Sequence, residues 1–172
     1  MKRRKERTRA DHSGSTLVLV FCGSLVCNLL AGCSDRRELS YAEFPDAVKA
    51  GEVTPGWLPD YLPKTASSIH LVEEDSPSME WCNFEFQPTD SEILRQNLKS
   101  INALPASMRR VPEPGASWWP AVLTGSLDVE ATHRKGFELY AVESPADSTS
   151  VWVDIFAIDW QGGRGYFYGR RE

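Results

Sequence analysis

The side chains able to do covalent or acid–base chemistry are few and scattered. Cysteine stands at Cys22, Cys27, Cys33 and Cys82, and histidine at His12, His70 and His133. A catalytic nucleophile needs a base beside it. Cys82 and His70 would meet that need if a hairpin brought them face to face. Cys82, however, alternates with Phe84 and Phe86 in Trp81-Cys82-Asn83-Phe84-Glu85-Phe86, which predicts a thiol packed in a core. Thr124-Gly125-Ser126 reads as a turn with nothing beside it to activate the serine. It is no Gly-x-Ser-x-Gly elbow. Asp154 and Asp159 can be paired as acid and base, but among 24 acidic residues such pairs arise by chance. Glu73-Glu74-Asp75 lacks the spacing of a calcium loop and reads as a solvated turn. Zinc needs clustered Cys and His, and none is seen. Gly162-Gly163-Arg164-Gly165 falls in a turn between strands, whereas a phosphate-binding loop precedes a helix. The expectation is no metal, no cofactor and no assigned catalytic residue.

Cys33 is set apart by what precedes it. Lys2, Arg3, Arg4, Lys5, Arg7 and Arg9 crowd the N-terminus against Glu6 and Asp11 alone. Leu17 to Ala31 is a mostly apolar run, diluted by Gly23, Ser24 and Asn28. About twenty residues are needed to span hydrocarbon, so this run fits a secretory signal better than an anchor. Leu30-Ala31-Gly32-Cys33 then closes the segment with two small residues and a thiol. It resembles the lipobox of bacterial lipoproteins. The resemblance implies cleavage after Gly32, acylation of Cys33 by diacylglycerol and palmitate-like chains, and attachment to a membrane. Each buried CH₂ contributes about 0.8 kcal/mol, and two or more chains hold stably. Ser34, rather than Asp, follows the cysteine, which by the same resemblance implies the outer membrane, facing the periplasm.

On this reading residues 1–32 are a cleaved signal, 33–39 a tether, and 40–172 one globular domain. Removing six of 19 basic and two of 24 acidic side chains leaves 13 and 22, a net charge of −9 instead of −5. Such a domain is not expected to bind nucleic acid or anionic headgroups, and a basic protein partner suits it. Cys82 alone remains as a free thiol, so no internal disulfide can form.

The elements follow from spacing. Ser40-Tyr41-Ala42-Glu43 and Thr89-Asp90-Ser91-Glu92 have capping-box spacing. They predict helices to about Ala50, ended by Gly51, and to about Lys99, with Ile93, Leu94, Leu98 and Ile101 on one stripe. Residues 68–74 and 79–87 alternate and predict a hairpin, with Ile69, Leu71 and Glu73 on one face. Residues 102–120 read as an irregular loop with four prolines. Its Trp118-Trp119 pair either plugs the core or forms a binding surface. Residues 137–143, 151–160 and 165–168 predict a meander. The expected fold is α+β: one antiparallel sheet of about five strands with two helices on one face.

Gly56-Trp57-Leu58-Pro59-Asp60-Tyr61-Leu62-Pro63, with Ala66 and Ile69, is similar to a Trp-Leu-Pro-x-x-Leu-Pro pattern of small uncharacterised bacterial proteins. That family implies no activity. The three prolines of this segment predict an ordered loop that covers the edge or end of a sheet, the alternative being a ligand-binding loop. The function expected is non-catalytic binding or structural support in the envelope, an immunity or inhibitor lipoprotein being one concrete form. The alternative is a small periplasmic hydrolase using carboxylates or Cys82.

Overall fold

The computed structural model describes residues 36–53, 58–75, 77–145 and 151–171; the signal, Leu30, Ala31, Gly32, Cys33 and Trp57 lie outside them. Alternating side chains between Arg36 and Glu43 form β1, where Leu39 and Tyr41 turn toward the core. Helix α1 (Phe44–Ala50) follows directly, with Pro45 in its first turn, where a missing N–H costs nothing. Gly51 ends it with φ at 87°, a left-handed position that glycine adopts without strain. Strands β2 (Ser67–Asp75) and β3 (Ser78–Glu85) make the expected hairpin. Helix α2 (Glu92–Asn97), the short β4 (Lys99–Ser100), β5 (Arg110–Val111) and β6 (Gly125–Ser126) lead to helix α3 (Val129–Arg134). Strands β7 (Glu138–Pro145), β8 (Val151–Asp159) and β9 (Arg164–Arg171) complete the chain.

The main sheet has seven strands in the order β1-β2-β3-β9-β8-β7-β4, all paired antiparallel, and β5 pairs with β6 apart from it. The hairpin and the meander are thus one sheet, joined where β3 meets β9. The expected antiparallel sheet with helices is present, but five strands become seven and two helices become three α-helices among the described residues.

Both faces of the sheet are covered. Phe84, Phe156 and Phe167 face Phe44 and Ala47 of α1, Leu94 of α2, and Leu58 and Leu62. The first two helices therefore do share one face. Trp81, Ile155 and Tyr168 face the other way, against Ile101, Leu104, Val111, Trp119 and Leu123. Burying one such aliphatic or aromatic side chain stabilises by roughly 1.5–3 kcal/mol, and no sheet face is left to water. Gly165 sits where the Phe84 ring lies against the backbone, so a side chain there has no room.

Several local expectations are corrected. Residues 36–39 are strand rather than tether, and Ser40–Glu43 continue it instead of capping a helix. Ser40 Oγ is used 2.8 Å from His70 Nδ1 on the neighbouring strand. Thr89 does not cap α2: it lies in a 3-10 turn, Pro88–Asp90, and the cap position falls on Ser91, whose hydroxyl donates instead to the Pro88 carbonyl at 2.8 Å. α2 ends at Asn97, Ile93 is exposed, and Ile101 packs on the opposite face from Leu94. Gly125-Ser126 is a strand rather than a turn. α3, which was not expected, is capped by Asp128, whose Oδ1 accepts from Ala131 N at 2.9 Å.

Candidate functional site

The alternation that builds the core also carries three carboxyls into it. Glu73 shares a face with Ile69 and Leu71, Glu80 with Cys82 and Phe84, and Asp154 with Phe156 and Ile158. Register then lines them up. Arg37 pairs with Glu73, Glu73 with Glu80, Glu80 with Gly169, and Gly169 with Asp154. The result is one row across five strands. Glu73 is 1% exposed, Glu80 3% and Asp154 9%. Gly169 makes the row possible: a Cβ there would collide with Glu80 Oε1 and lie 2.8 Å from Asp154 Oδ1.

Partners are scarce. Arg37 donates through Nε to Glu73 Oε2 at 2.8 Å and also through its terminal nitrogen. Tyr61, half-buried, donates to Asp154 Oδ2 at 3.4 Å. Glu73 Oε1 and Glu80 Oε2 are buried without a hydrogen-bond partner. Burial disfavours the charged form of an acid, and so does a neighbouring negative charge. Burial pushes Asp154 up to about 7, against the Tyr61 hydrogen bond. Burial, then the charges of Asp154 and Glu73, push Glu80 well above the carboxylate range. Burial also raises Glu73, with Arg37 pulling it back. Chemically the row is a set of buried acids whose protonated forms the surroundings favour. Among the described residues no group of three or more His, Cys, Asp or Glu is arranged to hold a metal.

The sequence pairing of Asp154 with Asp159 is not what the structure brings together. Asp159 lies on the opposite face and accepts from Gly162 N at 2.7 Å in the β8–β9 turn. Glu73, expected in a solvated turn, is in the core. Cys82 and His70 project to opposite faces, so they form no nucleophile–base pair; Cys82 is fully buried and burial pushes its thiol up. Trp119 is buried and meets Tyr166 edge-on at 5.8 Å, which removes it from the expected binding surface. Trp118 is half-buried and stacks on His70 at 6.2 Å. The missed residues Glu73 and Glu80 were signalled by period-2 alternation alone, each falling on an apolar face.

A second feature is open to solvent. A groove of about 290 Å³ runs between α3 and the sheet edge formed by β4 and β7. Ile101, Phe137 and Leu139 give it apolar walls, and Asn102, His133 and Glu138 give it polar ones. It opens because the chain leaves β7 after Ser100, which pairs with Tyr140. Tyr140 donates to Glu138 and accepts from Trp160 Nε1 at 3.0 Å, and Arg95 lies 3.7 Å over the Trp160 ring. This chain of contacts holds the groove wall in one orientation.

No helix among the described residues is long and apolar enough to cross a membrane. Compared with known proteins, the chain matches no family model, no curated protein and no solved structure.

Proposed function

We propose that the chain is a lipid-anchored protein of the bacterial envelope that works by binding a partner rather than by catalysis. Anchoring rests on Leu30-Ala31-Gly32-Cys33 behind its basic and apolar stretches. Ser34 after the cysteine favours the outer membrane, facing the periplasm. Only Ser34 and Asp35 separate Cys33 from β1, a reach of about 10 Å at full extension. On this reading the domain is held close to the bilayer and its partner comes to the membrane. The observation that carries binding over catalysis is a contrast of exposure. Cys82, Glu80 and Asp154 are sealed inside, while the groove beside α3 is open. The partner we favour is a basic protein, matching the net charge of −9 and Glu138 at the groove. An immunity or inhibitor lipoprotein is the concrete form.

A photo-crosslinking residue placed at Asn102 in living cells is expected to trap one discrete partner. The same residue at Lys49, on the face of α1, is not. Equal capture from both positions, or none from Asn102, would overturn the groove reading. Cys33→Ala is expected to accumulate precursor and lose lipid labelling; persistent labelling would remove the anchor.

One observation favours the hydrolase as a second reading: Asp154 is held near 7 beside Tyr61, a range suited to general acid–base work. Turnover of ester, glycan or peptide substrates by the pure protein, abolished by Asp154→Asn, would establish it.

A further inference from the structure

Glu80 and Asp154 reach over the same backbone position from strands on either side of it. Their carboxyl ends occupy the space a Cβ on Gly169 would need. The titratable groups that reach this pair are Tyr61 from the proline-bounded segment, Glu73 from β2 and Cys82 from β3; Arg37 and Tyr41 from β1 and Glu52 after α1 stand around Glu73, and Asp60 beside Tyr61. Arg37 is the cation among them, and it is committed to Glu73. Two ionised carboxylates this close, with no cation paired to them among the described residues, repel across a poorly hydrated space. The orphaned Glu80 Oε2 adds an unmet demand for solvation.

Among the described residues, the segment Leu58–Pro63 lies against this pair, with Tyr61 beside both acids. Leu58 and Leu62 are 1% exposed and pack on the sheet, and Tyr61 reaches Asp154. Among the described residues three backbone bonds hold it: Leu58 N to Glu52 O at 2.7 Å, Leu62 N to Pro59 O at 3.3 Å within the segment, and Ala66 N to Pro63 O at 2.9 Å.

We propose that Asp154 is protonated in the closed fold, beside a protonated Glu80, and that loss of the Asp154 proton releases Leu58–Pro63 as a pH-sensitive cover. The inference is independent of the anchor and of the groove. Opening hydrates Asp154 and returns it toward an ordinary carboxylate. Raising the pH therefore favours the open form, and acid favours the closed one. Tyr61 opposes this, because its hydroxyl stabilises the charged form, but burial outweighs it.

Hydrogen exchange on the full chain tests it, with rates corrected for intrinsic pH dependence. Protection of the Leu58, Leu62 and Ala66 amides is expected to fall roughly 15-fold between pH 5.5 and 7, close to one decade per unit for a single proton and levelling off toward pH 7. Leu123 and Thr124, on the other face, are expected to hold constant. Asp154→Asn is expected to abolish the dependence. Tyr61→Phe, which removes a hydroxyl and no core volume, is expected to move the transition to higher pH, so the test survives if Asp154→Asn does not fold. No pH dependence in the unmodified chain, the same dependence in Asp154→Asn, or an unmoved transition in Tyr61→Phe would overturn the proposal.

Discussion

On one face of the sheet, Trp81, Tyr166, Tyr168 and Trp119 interlock as rings, with Trp81 and Tyr168 5.4 Å apart. Trp81 Nε1 donates to the Pro112 carbonyl at 3.0 Å. On the other face an apolar floor of Phe84, Phe156 and Phe167 runs into the row Glu73, Glu80 and Asp154 at one end. Both faces exclude water equally well. They differ in what they exclude it from. Burial of rings stabilises at any pH. Burial of carboxyls stabilises only while the protons stay on. The ring face is thus expected to set the stability of the domain, and the carboxyl face its dependence on conditions.

Trp81→Ala should be the most damaging change, because it empties the ring face and orphans the Pro112 carbonyl. A loss of about 5 kcal/mol is expected, the same at pH 5.5 and pH 8. Urea denaturation at both values checks it, and a strongly pH-dependent loss would break the division between faces.

The unmodified chain should lose stability as pH rises. Asp154 is raised in the folded state, from 3.8 to about 7. Its stabilising share is complete below pH 3.8 and is lost by about pH 7, the reverse of a salt-bridged acid. The loss is about 4 kcal/mol at most, from 1.36 kcal/mol per unit. Glu80, raised by the same cause, extends the trend upward in pH. Urea midpoints of Asp154→Asn should be flatter over this range; an identical slope would remove Asp154 as the cause.

Gly169→Ala drives a methyl between the two carboxyls. A cost of about 2 kcal/mol is expected from overpacking, with a changed pH slope. The same cost with an unchanged slope would place the titrating group elsewhere.

Asp128→Ala, far from the row, should cost about 1 kcal/mol by uncapping α3. The thermal midpoint is expected to drop equally at pH 5.5 and pH 8. A pH-dependent drop would mean that the groove side also titrates.

Much of the fold was legible. The β2–β3 hairpin and the β7–β8–β9 meander followed from alternation, and Gly51 marked the end of α1. β1 was not legible, because Ser40 and Glu43 carry capping spacing while Leu39 and Tyr41 carry strand spacing. The sheet decided between them by offering β2 as a partner. β4, β5 and β6 are two residues each, too short for any period to register. The groove was illegible for the same reason, since it exists where β4 stops.

Local alternation is enough to assign the residues of the long strands to one face or the other. Period-2 alternation put Glu73, Glu80 and Asp154 on apolar faces without reference to any other part of the chain. The sequence by itself also set the lipobox-like segment ahead of the domain, which is a matter of order and composition. Only the tertiary structure decided that the three acids form a row. That required β3 to pair with β9 in the register that sets Glu80 beside Gly169, across 89 residues of chain. Alternation fixes the side of a strand; neighbours and register come from burial on both faces at once, and no local pattern encodes that.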